Sequence, residues 1–201
     1  MILLQSYAKS DLLIIVFNAR EKRAEHLDLV SDLESIKCNK LFIRDMSNTW
    51  YTNGIENIKG GYDGLVNFLQ QIVDMLEIKN VVTTGSSAGG YAAILFGNLL
   101  KATEIHAFAP QISLDIDFLK KIKDDRWDIN YETRTLFPIN HHSKIYVHYS
   151  CPIDKKHAQL LNNIDNVQII EHKGNNHRVL QYLKTTDKLK DYLLEIKNRL
   201  S

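Results

Sequence analysis

The sequence has few of the residues that mark specialised structural classes. It holds 2 cysteines and 3 prolines among its 201 residues, which excludes a disulfide framework and a proline-rich extended chain. Cys38 and Cys151 fit a protein of a reducing compartment. No CxxC, HExxH or close Cys/His cluster occurs, so we expect no metal site.

Charge and hydrophobic length exclude two further classes. Lys and Arg number 25 against 24 Asp and Glu, a formal net charge of +1, so a broad nucleic-acid-binding surface is not expected. The longest apolar run, residues 12–17, is far shorter than a membrane span, and no basic stretch precedes the apolar start as in a signal peptide. We therefore predict a soluble, cytoplasmic protein with one domain over residues 1–201, of unknown oligomeric state.

Short β-branched apolar runs alternate with amphipathic stretches along most of the chain. The runs predict strands at residues 12–17, 40–44, 80–84, 104–109, 144–149 and 167–171. The amphipathic and small-residue stretches predict helices at residues 24–36, 62–76, 88–100, 156–164 and 179–200. This order is typical of an α/β fold with a mostly parallel sheet of about six strands flanked by helices. Residues 110–143 are the one long break in the pattern.

A glycine–serine motif lies between a predicted strand and a predicted helix. Gly85, Ser87 and Gly89 form the pattern G-x-S-x-G. In a nucleophile elbow the serine stands at a strand-to-helix turn too tight for side chains two positions before or after it. The N–H of Ala88 and the helix dipole would then stabilise an oxyanion. The alternative is a Gly/Ser-rich turn without chemistry; Ser86 is a second hydroxyl, but the glycines flank Ser87 symmetrically.

A nucleophilic serine needs a general base, and the base needs an acid that orients it. In a fold of this type they follow in the order Ser, Asp or Glu, His, each after a later strand. Asp154 follows the predicted strand at residues 144–149, on a loop before the next helix, and His177 follows the last predicted strand. Asp154 also fits a helix N-cap, and His177 also fits a surface or capping histidine. His172 is the main rival to His177, because it also lies at the end of a strand.

With these residues in place, the chain resembles a compact α/β-hydrolase over nearly its whole length. The run of small residues that follows Ser87 is similar to serine esterases and acyl hydrolases. More narrowly, it resembles the small hydrolase-like proteins of bacterial surface-polysaccharide synthesis. The chain departs from the superfamily in size: the antiparallel first hairpin is missing or reduced to residues 1–6, and no room remains for a large lid.

The resemblance implies a second oxyanion donor in the loop after the first parallel strand. Ala19 is the preferred donor and Arg20 the next, although the His-Gly pair usual there is absent.

Trp50 and Tyr51 follow the predicted strand at residues 40–44, where they would stack on a sugar or cover an acyl group. The alternative is that they anchor the loop to the body of the protein. Asp45 beside them is either a polar group of the pocket or a loop cap. Arg126, Trp127 and Tyr131 belong to the break at residues 110–143, which is either a short cap or a peripheral connection.

The combined pattern predicts a serine esterase or acyl hydrolase that uses Ser87, His177 and Asp154. The substrate would be a small, polar, possibly carbohydrate-linked ester, because the spare segment at residues 110–143 is rich in charge. This chemistry needs no metal or organic cofactor. Two alternatives stay open: an O-acyltransferase acting on a sugar or polysaccharide, and a non-catalytic binding protein with a hydrolase fold.

Overall fold

The computed structural model of the chain describes residues 1–20, 26–126, 136–174 and 176–200. In these residues seven strands combine with seven α-helices. The strands are β1 (Ile2–Gln5), β2 (Leu12–Phe17), β3 (Asn39–Ile43), β4 (Asn80–Ser86), β5 (Glu104–Phe108), β6 (Lys144–Tyr149) and β7 (Val167–Glu171). The helices are α1 (Val30–Leu33), α2 (Gly61–Met75), α3 (Ala88–Leu99), α4 (Ile116–Ile122), α5 (Pro152–Ala158), α6 (Val179–Thr185) and α7 (Lys188–Leu200).

The seven strands form one sheet in the order β1-β3-β2-β4-β5-β6-β7. β1 pairs with β3 in the antiparallel sense, and all other neighbours are parallel. The carboxyl ends of β2 to β7 therefore meet at one edge of the sheet. The predicted α/β fold with a mostly parallel sheet is confirmed. β1 is a seventh strand and lies within residues 1–6, the segment expected to be all that remains of the first hairpin.

The apolar runs are strands because both faces of the sheet are covered. Alternate residues of β2 enter two different cores: Leu13, Ile15 and Phe17 pack on the side of α2 and α3, and Leu12, Ile14 and Val16 on the side of α1, α6 and α7. α3 is buried on almost every side, since it lies against β2, β4 and β5. This packing holds the start of α3 firmly at the carboxyl edge of the sheet.

Three predicted helices differ from the structure at their ends. The predicted helix at residues 24–36 appears only as α1, and residues 21–25 lie outside the described part of the chain. The predicted helix at residues 179–200 is split, because Asp187 adopts a left-handed backbone with φ of 56°. The hydroxyls of Thr185 and Thr186 donate to carbonyls of the preceding turn. These side-chain hydrogen bonds compete with the backbone hydrogen bonds of a helix and so weaken it.

The predicted helix at residues 156–164 begins earlier, at Pro152, and ends in a short 3₁₀ turn at Gln159–Leu161. N–H groups in the first turn of a helix have no acceptor within the helix. Proline, which has no N–H, therefore loses no hydrogen bond there and is favoured.

The long break at residues 110–143 contains α4. Trp127 and Tyr131 lie outside the described residues. None of the described helices has the length and apolar character needed to cross a membrane.

Candidate active site

Ser87 stands at a strained turn between β4 and α3. Its backbone has φ of 56° and ψ of −119°, a conformation that costs free energy for any residue with a side chain. Its N–H donates to the carbonyl of Phe108 in the neighbouring strand at 2.9 Å. A Cβ on Gly89 would lie 2.0 Å from the Phe17 carbonyl oxygen, and one on Gly85 would lie 2.5 Å from the same atom. Both glycines are therefore required by close backbone contacts, as the elbow pattern predicts.

The start of α3 lies directly behind Ser87. Ala88 is the first residue of this helix and is 4% exposed. The first N–H groups of a helix have no acceptor within the helix, so an anion beside Ser87 would meet donors of this kind. This geometry suits the predicted oxyanion role of Ala88, which stays a prediction.

Asp154 and His177 are brought together at the same edge of the sheet. Asp154 lies in the first turn of α5, not on the loop before a helix as predicted, because the helix begins at Pro152. His177 lies in the turn before α6. Its Nδ1 is 2.9 Å from Oδ1 and 3.0 Å from Oδ2 of Asp154. Its Nε2 is buried and has no hydrogen-bond partner among the described residues.

The Asp154 carboxylate is buried but surrounded by donors. Besides His177, the Cys151 thiol donates to Oδ2 at 3.0 Å, and Arg126 Nη1 donates to Oδ1 at 2.8 Å. Burial by itself raises the pKa of the Asp154 carboxyl. The hydrogen bond and charge of His177, together with Cys151 and Arg126, outweigh that effect and leave the pKa below its usual value. The carboxylate is thus ionised at neutral pH.

The rival histidine belongs to a different cluster. His172 Nε2 lies 2.9 Å from Nδ1 of His148, a buried residue of β6. Of the two histidines, His177 is the one that the structure pairs with Asp154.

The predicted second oxyanion donor is occupied in this structure. The Ala19 N–H donates to Oδ2 of Asp28 at 2.8 Å. The Asn18 side chain accepts from the Asp28 N–H and donates to the Ile43 carbonyl, which fixes the loop after β2. Ala19 is therefore not a ready donor here, and the prediction requires correction: the N–H reaches an oxyanion only if its bond to Asp28 breaks.

Trp50 and Tyr51 are loop anchors, which corrects the prediction that they bind substrate. Each is 1% exposed. The Tyr51 hydroxyl lies 2.9 Å from the carbonyl oxygens of Asn18 and Ile43. Arg20 covers the Trp50 ring, with its guanidinium carbon 5.5 Å from the ring centroid. The rings pack inward and present no flat surface to a ligand.

Asp45 likewise acts as a loop cap. Its Oδ2 accepts the N–H groups of Thr49 and Tyr51 at 2.6 and 3.0 Å.

Comparison with known proteins identifies the fold. No protein-family model and no curated protein sequence matches the chain. Solved structures do: a glycosylation-associated protein complex from Streptococcus agalactiae has a TM-score of 0.68 at 15% identity over 95% of this chain. This chain spans 43% of that protein's length.

Two further structures match over most of their own length. The capsule O-acetyltransferase of Neisseria meningitidis serogroup A has a TM-score of 0.62 at 18% identity, covering 98% of this chain and 90% of the other. An esterase from Pyrococcus furiosus has a TM-score of 0.63 at 16% identity, covering 96% and 83%. The chain has an α/β-hydrolase-like fold. The resemblance stated from the sequence is confirmed at the level of the fold. The structural neighbours include esterases, a capsule O-acetyltransferase and a glycosylation-associated protein complex.

Sequence reasoning missed the partners that this hydrolase-like fold places around Asp154. Arg126, Asp124, His157 and Gln111 form a connected polar cluster beside it. Asp124 and Arg126 stand out in the sequence only as members of a charged segment, and His157 only as a helical histidine, so no spacing links them. Among the described residues, no group of three or more His, Cys, Asp or Glu is arranged to hold a metal ion.

Proposed function

We propose that the protein is a serine acyl hydrolase in which Ser87 is the nucleophile, His177 the general base and Asp154 the acid that orients the base. The observation that carries this proposal is the unpartnered Nε2 of His177. A buried histidine nitrogen without a hydrogen-bond partner lowers the stability of the fold. The other ring nitrogen of His177, Nδ1, is hydrogen-bonded to the Asp154 carboxylate. Ser87, Asp154 and His177 follow β4, β6 and β7, whose carboxyl ends share one edge of the sheet.

The proposed mechanism begins with proton transfer. His177 donates its Nδ1–H to Asp154, which leaves Nε2 as the acceptor for the Ser87 hydroxyl proton. Ser87 Oγ attacks the ester carbonyl, and the N–H of Ala88 stabilises the oxyanion. His177 then gives the proton to the departing alcohol, and an acyl-enzyme remains. Water, deprotonated by His177, attacks the acyl-enzyme. The bond from the acyl carbon to Ser87 Oγ then breaks, His177 returns the proton to Oγ, and the acid is released. Ala19 would contribute a second N–H only after it leaves Asp28.

The proposed substrate is a small, polar, possibly carbohydrate-linked acyl ester. The inward packing of Trp50 and Tyr51 removes the two rings that would otherwise cover a long acyl chain. The charged pair of Asp124 and Arg126 lies close to the acid–base pair, which favours a polar substrate over a lipid surface. A cytoplasmic location belongs to the same proposal and fits the two free cysteines.

Acyl transfer to a sugar hydroxyl is the second candidate function. A structural neighbour is a capsule O-acetyltransferase, and one Ser-His-Asp arrangement serves both reactions, since a sugar hydroxyl can replace water in the second step. A non-catalytic binding protein with the same fold is the remaining alternative.

A fluorophosphonate probe tests the proposal directly. We expect covalent labelling of the wild type at Ser87, located by peptide mass spectrometry, and no labelling of Ser87→Ala. A series of p-nitrophenyl esters should be turned over best at acetyl or butyryl, with the rate falling as the chain lengthens. Absence of both labelling and turnover would support the binding protein, and a maximum at long chains would overturn the substrate proposal.

Addition of a sugar acceptor separates the two enzyme reactions. With an acetyl donor, a hydrolase forms acetate at a rate that does not depend on the acceptor. A transferase forms the O-acetyl sugar, detected by mass spectrometry, and its donor consumption rises with acceptor concentration.

A further inference from the structure

Arg126 connects two buried carboxylates beside the acid–base pair. Its Nε and Nη2 atoms donate to the two oxygens of Asp124, each at 2.7 Å. Its Nη1 atom donates to Oδ1 of Asp154 at 2.8 Å. The Arg126 side chain is 24% exposed, and both carboxylates are 0% exposed. Of these three side chains, that of Arg126 is therefore the one that reaches solvent.

We propose that Arg126 is a positioning residue, which holds Asp154 in the orientation that accepts the Nδ1–H of His177. This inference rests on the proposed function. An aspartate carboxylate can turn away from a histidine by rotation about its two side-chain bonds, but Oδ1 of Asp154 is held by Arg126 and Oδ2 by the Cys151 thiol. Arg126 Nη1 also lies in close contact with Nδ1 of His177. Because both nitrogens donate to Asp154 in the proposed tautomer, the guanidinium restricts rotation of the imidazole by its position and not by a hydrogen bond to it.

The direction of the guanidinium is itself fixed. Asp124 binds one edge of its planar fork in a bidentate manner, which leaves Nη1 pointing at Asp154. Asp124 in turn accepts from His157 Nε2 at 2.9 Å. Gln111 lies 3.4 Å from Asp124 and accepts the Trp50 N–H at 2.8 Å. A continuous polar chain thus runs from the loop after β3 to the acid–base pair.

The opposite charges of Arg126 and its two carboxylate partners favour the same arrangement as their hydrogen bonds. The hydrogen bonds and charges around Asp124 hold its pKa below the usual range although burial opposes this, and the pKa of Arg126 is raised by its two carboxylate partners against its own burial. Arg126 therefore carries its positive charge beside the ionised Asp154 at neutral pH. Lysine would preserve this charge but not the fork, because an ammonium is a point charge that cannot bind two carboxylates in one plane.

The test compares Arg126→Gln, Arg126→Lys and a control, Lys155→Gln. Lys155 is next to Asp154 in sequence but 48% exposed, and its ammonium lies 3.9 Å from Glu171. With p-nitrophenyl acetate we expect kcat to fall about 10²-fold in Arg126→Gln, with KM changed less than about twofold. The reason is that a misaligned general base stabilises the transition state less well. Arg126→Lys should lose about tenfold, and Lys155→Gln less than about twofold.

Several outcomes would overturn the proposal. An unchanged kcat in Arg126→Gln, or a loss confined to KM, would assign Arg126 to substrate binding or to no role. A wild-type kcat in Arg126→Lys would mean that charge alone suffices. Circular dichroism checks that each variant is folded. If Arg126→Gln does not fold, the comparison of Arg126→Lys with Lys155→Gln decides.

A second readout does not depend on activity. The Nδ1 proton of His177 should give a downfield ¹H NMR signal, identified by its loss in His177→Gln. We expect Arg126→Gln to broaden or shift this signal and Lys155→Gln to leave it unchanged. If the wild type neither hydrolyses esters nor reacts with fluorophosphonate, the proposed function fails, yet this signal still tests the positioning. An unchanged signal in folded Arg126→Gln would overturn it.

Discussion

His177 and His148 both belong to buried polar clusters, but their ring nitrogens meet different surroundings. His177 has Asp154 and Arg126 on Nδ1, and its Nε2 has no partner among the described residues. His148 uses both nitrogens: Nδ1 lies 2.9 Å from His172 and Nε2 lies 2.9 Å from the Tyr192 hydroxyl. The first cluster thus leaves one histidine nitrogen without a hydrogen-bond partner among the described residues, and His148 in the second cluster has none left over.

The second cluster continues to an acidic end. The Tyr192 hydroxyl of α7 lies 2.5 Å from Nδ1 of His106, and His106 Nε2 lies 3.0 Å from Glu104. Burial by itself raises the Glu104 pKa, but His106 and Arg199 lower it to about 2, so Glu104 can only accept. Each donor therefore points toward Glu104, in the order His172, His148, Tyr192, His106. This directed chain attaches α7 to the sheet.

The comparison teaches that histidine next to an acidic group does not by itself mark a catalytic site. In the α7 cluster every described nitrogen of His106 and His148 is paired, which stabilises the fold. At the carboxyl edge one nitrogen is left unpaired at a cost in stability. The proposed function accounts for that cost, because Nε2 would accept the hydroxyl proton of Ser87.

The strongest way to break the comparison is to remove the group that His177 Nε2 is proposed to meet. Ser87→Ala should lower kcat by about 10³-fold or more and leave the fold intact, since alanine fits the same turn. Ser86→Ala is the matched control and should keep most of the activity. Steady-state kinetics with p-nitrophenyl acetate measure both variants. Substantial activity in Ser87→Ala would contradict the assignment of the nucleophile.

Replacement of His177 should have the next largest effect, and replacement of His172 provides the comparison. His177→Ala should be nearly as severe as Ser87→Ala, because the members of such a triad act as a unit. His172→Ala should change kcat far less, since His172 bonds to His148 and not to Asp154. Both variants are compared by kcat and by the rate of fluorophosphonate labelling. Inactivation by His172→Ala alone would reverse the assignment of the two loops.

The sequence predicted the parts of the molecule that depend on local pattern. The buried strands follow from their β-branched runs, and the elbow follows from Gly85 and Gly89, whose need is local to one turn. The order of Ser87, Asp154 and His177 along the chain was enough to find the pair that the structure joins.

Long-range side-chain contacts were beyond the reach of the pattern. Trp50 was expected in the pocket because its loop ends at the correct edge, but its ring turns inward to bond Gln111, 61 residues away. Arg126 reaches Asp154 across 28 residues, and the Ala19 N–H is taken by Asp28. None of these pairings leaves a periodic signal, because each depends on how two loops fold back over the sheet.

Removal of the Tyr192 hydroxyl sharpens the comparison from the other side. Tyr192→Phe leaves a nitrogen of His106 and one of His148 without a partner in the interior. We expect a loss of about 1–3 kcal/mol in the free energy of unfolding, with little change in kcat. Urea denaturation followed by circular dichroism measures the loss. Tyr7→Phe, at a half-buried position outside the cluster, is the control, and equal stabilities of the two variants would contradict a structural role for the chain of hydrogen bonds.

The smallest expected effect is a dependence of stability on mild acid. Burial lowers the pKa of His106 and His148 from the usual 6.5, so the folded protein binds fewer protons than the unfolded chain below about that pH. Stability must then rise with pH in this range and fall as the solution is acidified. From about pH 7 to about pH 6, two neutral buried histidines predict a loss of about 1 kcal/mol.

Urea midpoints at several pH values test this sign, and His148→Gln should show a shallower dependence because one titrating group is gone. A further loss is expected below pH 4.5, where Glu104 is protonated in the unfolded chain before it is in the folded one. Stability that stays flat or increases from pH 7 to pH 6 would mean that the pKa values of these histidines are not lowered in the folded protein. The assigned direction of the hydrogen bonds in the α7 cluster, which distinguishes it from the site of His177, would then be wrong.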